Sequence, residues 1–227
     1  MLKKFIPYAA LPVLIAIAFA FNNSVRNNKA DQDAKPLPVA FNGQLEKPGK
    51  LDTATFAAGC FWCVEAQFRQ LKGVEKVTDG FTGGYVKNPT YQEVCTGNTG
   101  HAEACNILYD PSVISYDELL AAFFTAHDPT QLNRQGNDVG TQYRSAIFYH
   151  NAAQKDKADY YIKKLNEAKA YKNNIVTVVT PYTVFYKAEG YHQDYYDKNP
   201  EQSYCKYVIQ PEVEKFRKVF KDKLKNP

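Results

Sequence analysis

Two of the chain's five cysteines, Cys60 and Cys63, fall in the run Gly59-Cys60-Phe61-Trp62-Cys63-Val64-Glu65, which also holds its only Trp. Upstream, Thr53-Ala54-Thr55-Phe56-Ala57 alternates polar and apolar as a half-buried strand does, and downstream Phe61, Val64, Phe68 and Leu71 recur at helical spacing. Gly59 lies where one period gives way to the other, at a tight strand-to-helix turn. Cys60 is thereby expected at a helix N-terminus, where unpaired backbone N–H groups favour an anion and lower a thiol pKa. That position makes a nucleophile. Phe61 and Trp62 add an aromatic surface beside it, so the expected target is apolar apart from one reactive atom.

The elements that must hold this run follow from the pattern on either side. Val74 to Phe81 reads as a strand ending before Gly83-Gly84, and Ala102 to Tyr109 as another, stopped by Asp110-Pro111. Ser115 to Ala126 is helical, Ser145 to Tyr149 a strand, Ala152 to Ala170 a long solvent-facing helix, Ile175 to Thr180 a β-branched strand, and Glu212 to Leu224 an amphipathic helix. Strands interleaved with helices imply an α+β (or α/β) layered domain with helices packed on a sheet. Asn88 to Gly100 and His127 to Arg144 are polar and without periodicity, and loops of that length inside a domain are usually functional.

Bulk properties narrow the class. At 227 residues the chain holds one substantial domain plus extensions. A net charge of +4, with Lys3 and Lys4 in a separate leading segment, is too small to imply nucleic-acid binding. Lys3-Lys4 precede the 17 uncharged residues Phe5 to Phe21, with Ala18-Phe19-Ala20 offering a cleavage site. Residues 1–21 are therefore expected to be a signal peptide or an uncleaved membrane anchor, and 22–50, polar and Pro-bearing, a disordered linker. Residues 51–227 form the folded domain in this reading, exported to the periplasm or cell envelope. The membrane is met only through the leader.

Several separated motifs, taken together, carry a resemblance. Gly59-Cys-Phe-Trp62, Gly83-Gly84, Asn88-Pro-Thr-Tyr91, Gly100-His-Ala-Glu103, Gln135-Gly-Asn-Asp138, Gly140-Thr-Gln-Tyr143-Arg-Ser145 and Tyr191-His-Gln-Asp-Tyr195 stand in one order over residues 53–220. In that order the chain resembles the A class of peptide methionine sulfoxide reductases. The resemblance implies a central mixed sheet flanked by helices, ferredoxin-like in the manner of the family. It implies reduction of methionine-S-sulfoxide, free or in oxidised proteins, by a monomer.

Under that resemblance Cys60 attacks the sulfoxide sulfur as a thiolate. The departing oxygen needs a proton, and Glu103 matches the family's acid, its pKa raised by burial. Tyr91 and Tyr143 match the phenols that hydrogen-bond the oxygen, and Asp138 is a supporting polar group. Phe61 and Trp62 cradle the S-methyl group, and Tyr195 is a candidate for the substrate wall. Cys60 is left as a sulfenic acid that a second thiol condenses into a disulfide. No bound cofactor is needed, and an external dithiol, thioredoxin-like in the family, restores the enzyme. The chain departs from the commonest pattern in having Cys63 where Gly is usual. Cys63 and Cys205 are both candidates for the resolving thiol, with Cys63 slightly favoured because Cys205, on a mobile tail, would have to swing in.

Other readings of the same residues exist. A thioredoxin-like thiol–disulfide oxidoreductase would also use Cys60-x-x-Cys63, but it leaves the remaining polar motifs unexplained. A zinc module on Cys60, Cys63 and some of Cys95, His101 and Cys105 lacks a second pair at finger spacing. Cys95 and Cys105 are expected to be structural, and His101, His127 and His192 to be hydrogen-bonding scaffolds.

Overall fold

The alternation through residues 102–109 decides which way the central strand faces. Ala102 and Ala104 point to one side of the sheet, into a small cluster with Ala57, Ala146 and Phe148. Cys105, Ile107 and Tyr109 point to the other, into the main core beneath the helices. Glu103 shares that second face by the same two-residue period, so it is buried instead of solvated. The computed structural model describes residues 49–225. The leader assigned to 1–21 and nearly all of the linker assigned to 22–50 lie outside the described residues.

The chain lays down β1 (Asp52–Ala58), α1 (Phe61–Phe68), β2 (Val74–Thr82), α2 (Tyr91–Cys95), β3 (Ala102–Tyr109) and α3 (Tyr116–Ala126). There follow β4 (Arg134–Gln135), β5 (Asp138–Val139), β6 (Ser145–Tyr149), α4 (Ala152–Glu167), β7 (Val178–Pro181), β8 (Phe185–Lys187), α5 (Tyr195–Lys198) and α6 (Gln210–Val219). Six strands form one sheet in the order β7-β6-β1-β3-β2-β8, and β4-β5 is a separate hairpin. Only β6 and β7 run parallel; every other neighbouring pair in that sheet is antiparallel. The inner part, β1-α1-β2-β3-α3-β6 with spatial order β6-β1-β3-β2, is a split β-α-β arrangement of ferredoxin-like type. The α+β expectation holds.

Local chemistry sets the helix ends. Ser115 and Glu118 form a capping box that starts α3, and Thr90 and Glu93 do the same for α2. Phe56 packs against Phe68, Tyr116 and Phe123, joining α1 and α3 to the middle of β1. Phe68 in turn meets Phe216 of α6 at 6.2 Å, so α6 lies over α1.

Four sequence expectations need correction. The strand expected from Ile175 begins at Val178, because the Ile175 and Val176 amides donate to Asn166 and Pro129 instead of to a ladder. The helix expected over 152–170 ends at Glu167, where Lys169 turns left-handed at φ 50°. The last helix starts at Gln210 and runs directly out of a π-helical turn, Cys205–Ile209. Cys205 is therefore no mobile-tail thiol: it is 0 % exposed, inside the core.

Candidate active site

Strand β1 leads into Gly59, whose φ of +87° suits only glycine, and a Cβ there would lie 2.7 Å from the Cβ of Gln135. The next residue, Cys60, caps α1 in an extended conformation, and its carbonyl accepts the Cys63 amide at 3.1 Å. Three groups hydrogen-bond the Cys60 sulfur: the Cys63 thiol, the Tyr204 hydroxyl and the Trp62 backbone N–H. Each favours the thiolate, yet burial outweighs them and pushes the Cys60 thiol above its ordinary range. The expectation of a lowered resting pKa is overturned. Burial is the reason, and of the first two helix N–H groups only that of Trp62 reaches the sulfur, while that of Phe61 donates to the Glu103 carboxyl at 3.1 Å.

Glu103 stands on the helix-facing side of β3, 1 % exposed. Burial raises its pKa to about 8, against the lowering effect of the Phe61 N–H and with a small push from Asp138. It is therefore a protonated acid near neutral pH, as expected. Tyr91 and Tyr143 are both half-buried, and burial, then the nearby Glu103, hold both phenols un-ionised. Tyr91 opens α2, its amide donating to Glu189, and its hydroxyl hydrogen-bonds the Cys95 thiol. The turn at 141–143 that presents Tyr143 is tied down by Thr141 to the Gly97 carbonyl, Gln142 to the Cys95 carbonyl and Arg144 to the Gly100 carbonyl. The two polar loops of the sequence thus meet across the site.

Asp138, on β5, accepts the Tyr204 hydroxyl at 2.6 Å, so it competes with the Cys60 sulfur for that one proton. Trp62 is half-buried and lies flat on Tyr195, centroids 3.8 Å apart at 9°. Phe61 is 1 % exposed and forms the floor, touching Phe81, Tyr91 and His192. Cys63, the first resolving candidate, is buried one turn from Cys60, and Cys205, the second, faces the core. All five thiols are free.

Sequence reasoning missed three residues, Tyr204, Glu65 and Glu212, and gave His192 only a scaffold's role. Tyr204 was passed over for the cysteine beside it. His192 sits buried against Tyr91 at 4.4 Å and against Phe61 and Trp62. Glu65 is 2 % exposed and accepts the backbone N–H groups of Asp194 and Tyr195, fixing the ring that stacks on Trp62. Its signal was present: a carboxylate on the apolar Phe61–Phe68 stripe. Glu212, beside Cys63, carried no sequence signal.

His101 and His127 are hydrogen-bonding scaffolds as expected, whereas neither ring nitrogen of the buried His192 makes a hydrogen bond. His101 accepts the Gly84 amide at Nδ1 and donates from Nε2 to the Val86 carbonyl, while burial lowers His127 to about 4. Cys105 donates to Asp79 and is structural, whereas Cys95 is exposed. Among the described residues no group of three or more potential ligands converges on one point, so the zinc reading has no geometric support.

Residues 52–224 match the sequence profile described as peptide methionine sulfoxide reductase. The chain is 53% identical over 172 residues to peptide methionine sulfoxide reductase MsrA of Natronomonas pharaonis, covering 76% of this chain and 97% of that one. It is 57% identical over 166 residues to the MsrA of Nautilia profundicola, covering 73% and 94%. Among solved structures, reduced Mxr1 of Saccharomyces cerevisiae superposes with a TM-score of 0.65 at 37% identity, covering 70% of this chain and 92% of that one. Methionine sulfoxide reductase A of Corynebacterium diphtheriae does so at 0.61 and 40% identity, covering 76% and 85%.

Proposed function

Because the chain belongs to the peptide methionine sulfoxide reductase family, we propose that Cys60 is the nucleophile and Glu103 the acid of its reaction. The protein is an oxidoreductase that reduces methionine sulfoxide with thiols. The observation that carries the residue assignment is a buried, protonated Glu103 that accepts the N–H of Phe61, the residue after Cys60, and acts electrostatically on the Cys60 sulfur.

In the proposed sequence the sulfoxide enters with its methyl group against Trp62 and Tyr195 over the Phe61 floor. Its oxygen accepts hydrogen bonds from the Tyr91 and Tyr143 hydroxyls. Cys60 attacks sulfur as Glu103 protonates the oxygen, and the hydroxyl so formed passes to the Cys60 sulfur while the substrate S–O bond and the transient bond between the two sulfurs break. The substrate sulfur gains two electrons and leaves as the thioether; the Cys60 sulfur loses two and ends as the sulfenic acid. Asp138 fixes the Tyr204 hydroxyl beside Cys60. Cys63 then condenses with Cys60 to a disulfide and water. Its position one helical turn away supports this order over Cys205, which is shut in the core. If Cys63→Ser still accumulated a full Cys60–Cys205 bond after one turnover, the order would be wrong.

An external dithiol, a thioredoxin-like protein in the cell, reopens the disulfide, and no bound cofactor is required because sulfur carries both electrons. The basic start and uncharged run at 1–21 support export, with 22–50 as a tether and a monomeric domain over 51–227. N-terminal sequencing of the protein recovered from cell envelopes checks the cut after Ala20. The deciding experiment for function is turnover of separated S and R epimers of N-acetyl-methionine sulfoxide with dithiothreitol, alongside Cys60→Ser. Reduction of the S epimer alone, abolished in the variant, is the expected result. Reduction of neither epimer by folded protein would return the Cys60–Cys63 pair to simple disulfide exchange.

A further inference from the structure

Cys63 occupies the position where the commonest family pattern has Gly, and its neighbours are the groups such a replacement would require. Its thiol is in hydrogen-bonding reach of two acceptors, the Cys60 sulfur and the Glu212 carboxylate. All three side chains line one cleft of about 260 Å³, with Tyr207, Val208 and Pro211 on its wall and the turn at 135–138 at its rim. Tyr91, Glu103 and Tyr143 are not part of that lining, so the cleft reaches the Cys60 sulfur from another side. Glu212 is held there by its helix. It lies in the first turn of α6, whose Val213 and Phe216 are buried, and Phe216 packs on Phe68 of α1.

We propose that Glu212 is the general base of the resolving step, taking the Cys63 proton as that sulfur attacks oxidised Cys60. This rests on the assignment of Cys60 and Cys63 above. A single S–H proton cannot serve two acceptors at once. Before turnover it points at the Cys60 sulfur and favours the thiolate there. Once Cys60 carries oxygen its sulfur is the electrophile, and Cys63 must meet it with a free electron pair. The proton then has to lie elsewhere, and the Glu212 carboxylate is the acceptor already in contact. Burial makes the need acute, because it holds the Cys63 thiol well above the ordinary thiol range.

The step balances with no oxidant or reductant beyond the two cysteines, and its protons are exchanged with solvent. The Cys63 S–H bond breaks and its proton passes to Glu212. The freed pair forms the S–S bond, and the Cys60 S–O bond breaks. The oxygen leaves as water with a proton from Glu103, which has regained one from solvent after the first step, and Glu212 returns its own to solvent. The Cys60 sulfur is reduced and the Cys63 sulfur oxidised, each ending in the disulfide.

The test separates the two chemical steps in the full-length chain without external reductant. N-acetyl-methionine-S-sulfoxide is mixed with protein and quenched over time. Methionine product and the Cys60–Cys63 disulfide are followed separately, the latter by alkylation and mass spectrometry. In Glu212→Gln the disulfide is expected to form about 10²-fold more slowly at neutral pH, while product formation changes by less than about twofold. Its rate should climb about tenfold per pH unit through neutrality, following the Cys63 thiolate, where the wild-type rate is nearly flat. Glu212→Asp should recover part of the rate. Disulfide formation at the wild-type rate in Glu212→Gln, or a parallel slowing of both steps, would overturn the assignment. Wild-type protein that makes no methionine removes the parent function, and one that joins Cys60 to Cys205 removes the parent resolving order. Both are read before any Glu212 variant, and either removes the proposal with it.

Discussion

Cys60 and Glu103 titrate in the order opposite to the one the reaction needs. The carboxyl gives up its proton at about 8, and the thiol, pushed up from 9.0, only above that. Reaction needs the ionised thiol and the protonated acid together. Below about pH 8, kcat/KM should rise tenfold per pH unit as the thiolate fraction grows. Above it, the gain in thiolate is cancelled by the loss of protonated Glu103, and the profile levels off. Glu103→Gln should lower kcat/KM by about 10²–10⁴ and remove that break, leaving a rate that still climbs past pH 8. A steady-state profile of both proteins across that range checks it, and a break that survives in the variant would assign it to another group. Tyr204 offers a second, independent test. Its hydroxyl carries one proton, shared between the Asp138 carboxylate at 2.6 Å and the Cys60 sulfur, whose pKa it lowers against burial. Tyr204→Phe should therefore slow iodoacetamide alkylation of Cys60 and shift its pH midpoint upward. An unchanged midpoint would show that the hydroxyl does not bear on the nucleophile.

The junction between β1 and α1 concentrates the site's dependence on backbone geometry. Gly59→Ala forces a Cβ into a left-handed position and against the Cβ and Cγ of Gln135, both at 2.7 Å. Relief requires the β4–β5 hairpin to shift, and that hairpin carries Asp138. The expected cost is about 1–3 kcal/mol of stability together with at least about tenfold in kcat/KM. Urea denaturation paired with steady-state kinetics measures both; a stability loss with unaltered kinetics would uncouple the hairpin from catalysis. This junction was legible because two periods meet at Gly59 and nothing else fits there. Strand β3 was legible to the residue, since Ala102–Tyr109 alternates between two buried faces. The small elements α2, β8 and α5 were not, because they are short and owe their shape to distant partners. The Tyr91 amide waits on Glu189, β8 on its pairing with β2, and α5 on Glu65 holding the Asp194 turn. Cys205 was misread for the same reason: its burial comes from packing across the core, and no local pattern encodes it.

Across the whole domain, the proton that Glu103 keeps for chemistry is also a term in the folding equilibrium. A carboxyl whose folded pKa exceeds its unfolded value binds a proton in the fold that the unfolded chain has released. Its stabilisation is complete below the unfolded value and drains as pH rises through the folded one. For Glu103 that window runs from the ordinary 4.5 to about 8. Glu65 and Asp79, both buried and raised, act in the same direction. His127 opposes them, but only on the acid side. Lowered from 6.5 to about 4, it stabilises fully above 6.5 and loses that contribution as pH falls. The thiols enter later, Cys60 and Cys63 being raised from 9.0. From pH 6.5 to about 8 the buried carboxyls therefore dominate, and the reduced protein should become less stable, Glu103 alone accounting for about 2 kcal/mol. Glu103→Gln keeps an acceptor for the Phe61 N–H and has no proton to lose, so its stability curve should be flatter by that share. Urea titrations of both proteins at intervals across the window measure the difference. Identical slopes would mean that Glu103 is ionised in the folded protein, and a carboxylate there could not protonate a departing sulfoxide oxygen.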